Sequence, residues 1–122
     1  MRLLEGKIAI ITGAGSARGI GRATARLFAE HGARVLLTDI DAGALAQAGG
    51  ELAGDHQTYA CDVTDAKQCR RAAHEAIKRF GRVDILVNNA GLVFGTRLGD
   101  ISREEYDQVL DVNLRGNFQM SQ

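Results

Sequence analysis

Four glycines punctuate the stretch ITGAGSARGIGRA, at Gly13, Gly15, Gly19 and Gly21. They lie between the apolar run Ile8–Ile11 and a helix-like pattern that opens at Gly19. Backbone N–H groups turned inward and backed by a helix N-terminus make a site for a phosphate, and glycine permits the angles and close approach it needs. The chemistry predicted is recognition of a phosphorylated ligand, not bond-making by the loop. Strict GxGxxG spacing is absent because Arg18 stands where the last glycine would fall, and glycine turns also follow strands where nothing binds. Asp39 adds a second signal. It ends the apolar run Val35–Thr38, about 20 residues on from the loop, where a carboxylate accepts hydrogen bonds from ribose hydroxyls. Asp39 could simply cap the next turn, but Asp41 is already placed to do that. A carboxylate at the ribose repels a 2′-phosphate, whereas the Arg18 guanidinium attracts one. Asp39 lies at the ribose position itself, so NAD is the expected cofactor and NADP the less favoured one.

These residues need elements to position them. Periodicity predicts a strand over Lys7–Thr12, a helix over Gly19–His31 stopped by Gly32, and a strand over Val35–Thr38. Asp41 opens an Ala-rich helix to Leu52, weakened by Gly43, Gly49 and Gly50. A short strand follows at Thr58–Cys61. Thr64 or Asp65 then caps a helix to Phe80 that Gly81 closes, and Val83–Val87 is a fourth strand. Ser102 starts the last helix with a capping box, SREE, whose return residue is Glu105. Strands that read as continuous apolar runs and alternate with helices predict a doubly wound parallel α/β sheet. The last helical pattern is still running at Gln122. The expectation is therefore one domain over residues 1–122, incomplete at its C-terminal side, its sheet truncated after the fourth strand and part of the following helix.

Composition narrows the function. Fifteen basic and fifteen acidic residues cancel, and no like-charge block argues for nucleic acid. No apolar run has membrane-spanning length and no secretory leader is evident, so a cytoplasmic location without membrane partners is expected. Cys61 and Cys69 lack metal-ligand spacing; they read as reduced, buried thiols, and no metal site is expected.

Four features together resemble the short-chain dehydrogenases/reductases, along essentially the whole chain. They are the turn Thr12–Gly13 with Gly19–Ile20–Gly21, CDVTD at Cys61–Asp65, NNAG at Asn88–Gly91 after a strand, and DVNLRGNF at Asp111–Phe118. The resemblance implies a Rossmann fold and hydride transfer between a nicotinamide and a small hydroxyl or carbonyl substrate. It implies that Gly13, Ser16, Arg18, Gly19 and Ile20 surround the pyrophosphate and adenine ribose, and that Asp39 sets cofactor choice with Ile40 on the adenine side. It gives Asp62 the adenine amino group, with Val63 beside it, and runs Asn89, Ala90 and Gly91 along the cofactor ribose. Asn113 matches the family's helix asparagine, which holds a water of the proton relay through its backbone; the bland alternative is a polar kink in a packed helix. Assembly into a homo-oligomer is also implied.

Two departures stand out. The family's turn has three residues between its first glycine and GIG, and here five intervene, Ala14 to Arg18. Either two residues are inserted near Ala17–Arg18, with Thr12–Gly13 kept at the strand end, or the count starts at Gly15; the first register is preferred. The family's acid–base tyrosine and lysine, spaced YxxxK, have no match. Four residues beyond Tyr59 and Tyr106 stand Val63 and Leu110. The chain alone is thus expected to hold a cofactor without turning over substrate, and a catalytically inactive binding or interaction module is the competing expectation. Val83–Val87, unpaired on one side, is expected to be an aggregation-prone edge.

Overall fold

The structure, a computed structural model, describes residues 2–122. Four strands form one parallel sheet: β1 (Ile8–Ile11), β2 (Arg34–Asp39), β3 (Gln57–Ala60) and β4 (Ile85–Val87), in the order β3-β2-β1-β4. Helices α1 (Ile20–Glu30), α2 (Ala42–Gly50) and α3 (Ala66–Phe80) make the crossovers. The order reverses at β1, so the carboxyl ends of β1 and β4 flank the switch point where α/β sheets bind ligands.

Alternation along the strands divides the core into two layers. Ile8 and Ile10 of β1 join Leu36 of β2 on one face, where Cys69, Ala72, Ala76 and Phe80 of α3 cover them. Ile11, Val35 and Leu37 point the other way, against Ala25 of α1 and Leu45 and Ala48 of α2. Both faces of β1 and β2 are thereby buried, which accounts for their unbroken apolar sequence. At the sheet edge, β3 is half-buried at alternate positions only. The other edge is β4, as expected, and its three residues are all half-buried.

Caps set the helix ends. Asp41 accepts the Ala44 N–H at 3.0 Å, and Asp65, rather than Thr64, accepts those of Lys67 and Gln68 at 2.9 and 3.3 Å. Gly81 closes α3 at φ +91°, a left-handed conformation that suits glycine. The glycines of α2 do not break it, because Asp41 caps one end and Leu45 and Ala48 are buried.

The final helix differs from the sequence pattern. It runs as α4 (Arg103–Leu110), one π-helical turn over Asp111–Arg115, and α5 (Gly116–Ser121). The Gly116 N–H reaches back five residues to the Asp111 carbonyl. That turn brings Gly116 so close to Val63 that a Cβ would lie 2.6 Å from its Cγ2, and it buries Met120 in the layer beside α3. Only half of the capping box forms. Ser102 Oγ accepts the Glu105 N–H at 3.1 Å, but the Glu105 carboxylate turns away to accept the Thr96 hydroxyl.

Before β4, Asp84 ties the strand to β1: its Oδ2 accepts the Ile8 N–H at 2.9 Å, and its own N–H donates to the Ile8 carbonyl. That backbone donor, and then the Arg82 guanidinium, hold the Asp84 carboxyl below its ordinary value of 3.8. Asp65 is lowered in the same way, first by the Gln68 N–H. A carboxyl lowered in the folded chain contributes stability above its unfolded value, and that contribution is lost as pH falls through the folded value. The share of the thermal midpoint carried by these two carboxyls is therefore expected to stay level down to their ordinary value of 3.8 and to fall below it. Asp84→Asn should remove part of that acid slope; unfolding curves from about pH 6 to about pH 2.5 measure it.

Candidate functional site

The glycine turn and the loop after β4 are built as one unit. Thr12 directly follows β1, and its Oγ1 accepts the N–H groups of Asn89 and Ala90 at 3.0 and 2.9 Å. Asn89 answers with its amide, donating to the carbonyls of Thr12 and Gly13, each at 3.1 Å. Gly13 has φ +62°, and a Cβ there would sit 2.8 Å from Ala90 Cα. Thr12–Gly13 thus stays at the strand end. The loop that follows is tipped by a turn at Ala17 and Arg18 and closed by the Gly19 N–H on the Ser16 carbonyl at 3.0 Å.

Helix α1 begins beyond this turn with no side-chain cap, and its first turn carries no acidic residue. Helices α2, α3 and α4 are each capped by an Asp or Ser side chain. An uncapped N-terminus facing a concavity leaves N–H donors and the positive dipole end for an anion.

At the end of β2 the Asp39 carboxylate is held at both oxygens. Oδ2 accepts the Gly15 N–H and Oδ1 the Asp41 N–H, both at 2.9 Å. Asp39 therefore does shape the next turn, beside the Asp41 cap, while each oxygen keeps acceptor capacity for a further donor. Gly15 is needed for this approach, since a Cβ would lie 3.0 Å from Asp39 Cγ and Oδ2. After β3, Asp62 Oδ1 accepts the Thr64 N–H and hydroxyl at 2.9 and 2.7 Å, while its Oδ2 has no partner among the described residues.

Between these groups lies a cleft of about 790 Å³. Gly13, Ser16, Arg18, Gly19, Ile20, Asp39, Ile40, Asp62, Val63, Asn89, Ala90 and Gly91 all line it, so twelve residues singled out in the sequence meet on one surface. Cys61 lines it too, but burial pushes its thiol up to about 12, and the Cys69 thiol is raised for the same reason. Both stay protonated and do not act as nucleophiles at neutral pH.

Asn113 is not in the lining of this cleft. It sits in the π-helical turn and grips the loop at the cleft's end: Oδ1 accepts the Leu92 N–H at 2.7 Å, and Nδ2 donates to the Leu92 carbonyl at 2.8 Å. Its side chain is thereby committed to holding backbone. π-helical turns of this kind often mark functional positions.

Sequence reasoning missed Arg22. It lies in the first turn of α1 and is buried, with its guanidinium on Glu51 and on the Gly15 carbonyl. The available signal was a cation placed where the helix dipole disfavours one.

Comparison with known proteins adds to this geometry. A family model described as enoyl-(acyl carrier protein) reductase matches residues 13–122. An uncharacterized short-chain type dehydrogenase/reductase of Sinorhizobium fredii is 45% identical over 124 aligned residues, covering 98% of this chain and 49% of its own length. The crystal structure of a 3-ketoacyl-(acyl-carrier-protein) reductase from Brucella melitensis, complexed with NADH, superposes with a TM-score of 0.92 at 39% identity, over 97% of this chain and 48% of that one. A short-chain dehydrogenase/reductase from Burkholderia phymatum in complex with NAD gives 0.91 at 36%, over 98% and 43%. The chain spans about half the length of the curated relatives it matches.

Proposed function

This chain belongs to the short-chain dehydrogenase/reductase family, and on that premise we propose that its cleft binds NAD. In this reading the chain is the dinucleotide-holding part of an oxidoreductase that moves a hydride between the nicotinamide and a small hydroxyl or carbonyl substrate. The observation that carries it is the Asp39 carboxylate, fixed by two backbone donors on the wall of a cleft that also holds the uncapped start of α1. The donor set fits: N–H groups and Arg18 for the pyrophosphate, Asp39 for the ribose hydroxyls, and the unpartnered Asp62 Oδ2 for the adenine amino group. Ile40 and Val63 give the adenine apolar walls. Asn89, Ala90 and Gly91, pinned by Thr12, lie along the remaining ribose. The cofactor supplies the hydride acceptor or donor, and the protein supplies binding and orientation.

Asn113 keeps the loop at Leu92 in place at the end of the cleft. Its backbone, in the widened helical turn, is assigned to the water of a proton relay. The group that exchanges a proton with substrate is assigned to polypeptide outside residues 1–122, because neither Tyr59 nor Tyr106 has a lysine four residues on. Association of copies of the whole, cytoplasmic protein fits the exposed Tyr106, Leu114 and Phe118 on the last helical segments.

Titration with NADH, followed by the cofactor's own fluorescence, tests the binding. Saturable binding that NAD competes away is expected. A folded protein that binds neither NADH nor NADPH would overturn the proposal.

A further inference from the structure

Arg22 is the one buried charge of the site to which the reading above gives no task. It is 6% exposed and stands in the first turn of α1, where the positive end of the helix dipole opposes a cation. A charge withdrawn from water persists only when paired and hydrogen-bonded. Glu51, at the C-terminal end of α2, supplies the pair, accepting Arg22 Nε at 3.0 Å and Nη2 at 2.5 Å. The third donor, Nη1, goes to the Gly15 carbonyl at 3.3 Å.

That carbonyl belongs to the residue whose N–H holds Asp39 Oδ2. Glu51, Arg22, Gly15 and Asp39 therefore form one continuous chain of hydrogen bonds from the end of α2 to the cleft. A Cβ on Gly15 would lie 3.0 Å from the Asp39 carboxylate and 3.2 Å from Ala44 Cβ, so glycine is what lets the loop come this close. The chain also clamps the lengthened loop midway, between the Thr12–Gly13 anchor and the turn that carries Arg18. Arg18 is exposed and has no carboxylate partner among the described residues.

We propose that Arg22, held by Glu51, is a positioning residue for cofactor selectivity, acting through Gly15 on Asp39. The inference rests on the NAD reading of the cleft. With Gly15 clamped, the Asp39 carboxylate keeps a fixed direction and the Arg18 tip stays where the turn places it. Without the clamp, the Gly15 N–H directs the Asp39 carboxylate less firmly, and the loop can bring Arg18 toward the ribose. Both changes relax discrimination against a 2′-phosphate.

The test measures NADH and NADPH dissociation constants by fluorescence on the full-length encoded protein. The variants are Arg22→Lys, Arg22→Met, Glu51→Ala and Asp39→Ala, with a thermal midpoint for each. Losing one hydrogen bond's worth of positioning should lower the NADPH/NADH ratio of dissociation constants by about fivefold in Arg22→Met. Arg22→Lys and Glu51→Ala should move it the same way by less. A residue that only supports the fold would lower the midpoint and weaken both cofactors together, leaving the ratio alone. Should Arg22→Met fail to fold, Arg22→Lys still decides, because it keeps a cation for Glu51 while giving up the guanidinium fork that also reaches the Gly15 carbonyl. A ratio unchanged in the Arg22 and Glu51 variants but shifted in Asp39→Ala overturns this inference alone. A ratio unchanged in Asp39→Ala as well removes Asp39 from the ribose site, and the inference falls with it.

Discussion

Gly21→Ala is expected to weaken dinucleotide binding at least about tenfold and to destabilise the fold by about 2–4 kcal/mol. A Cβ at position 21 would lie 2.4 Å from Asn89 Nδ2, 2.9 Å from the Gly13 carbonyl oxygen and 3.2 Å from Ala14 Cα. Two of those neighbours are backbone and cannot rotate aside. The third can, but the Asn89 amide would give up the Thr12 and Gly13 carbonyls that it bonds. Overpacking of this kind costs about 1–3 kcal/mol, and buried acceptors left without a donor add to it. The displaced loops line the cleft on both sides, so affinity falls along with stability. Gly50→Ala is the control: nothing lies within 4 Å of its Cβ position. It should leave binding unchanged and stability equal or slightly higher, by helix propensity. Urea unfolding and NADH titration of the two variants check this, and parental affinity in Gly21→Ala would refute the packing argument.

The same contacts show what the glycines are for. The cluster reads in sequence as a phosphate cradle, and that reading treats its glycines alike. In the fold, Gly13 and Gly21 make room for Asn89 and Ala90, and Gly15 makes room for Asp39. Contacts between segments this far apart in the chain leave no local trace, so spacing alone could not assign them. What spacing could assign was the strand–turn–helix context, and with it the cleft.

Elements with strong local signals came through with their boundaries shifted by a residue or two. Asp41, Asp65, Gly32 and Gly81 punctuate the helices as their types require. The strands β1 and β2, buried on both faces, are the apolar runs that the sequence displays. The last helix was less legible. A π-helical turn keeps helical backbone angles and an apolar pattern, so nothing in Asp111–Arg115 announced it. Its cause is tertiary: Asn113 must meet Leu92 while Gly116 meets Val63. The Glu105 carboxylate likewise left its capping box for Thr96, a partner that only the folded loop provides. The pairing of Arg22 with Glu51 was silent for the same reason, since residues 29 apart have no sequence spacing to reveal a contact.

Asp39→Asn is expected to raise the affinity for NADPH relative to NADH by roughly 30-fold, about 2 kcal/mol of relieved repulsion between a carboxylate and a dianionic phosphate. The substitution keeps the side chain's shape, and its remaining oxygen can still take one of the two N–H groups that hold Asp39, so the turn into α2 should survive. What changes is the charge. Asp39 is half-buried at an open cleft, so much of its repulsion passes through solvent and ions screen it. The selectivity change should therefore shrink as salt is raised, whereas the part caused by lost hydrogen bonds to the ribose hydroxyls should not. Arg18 then becomes the decisive second variable. Exposed at the turn tip and lining the same cleft, it is the cation placed to meet a 2′-phosphate once the carboxylate is neutral. Arg18→Ala should take back most of the NADPH affinity that Asp39→Asn gains, and weaken NADH only by the smaller amount its pyrophosphate contact supplies. If instead the double variant binds NADPH as well as Asp39→Asn does, Arg18 does not reach the ribose, and its charge serves the pyrophosphate alone.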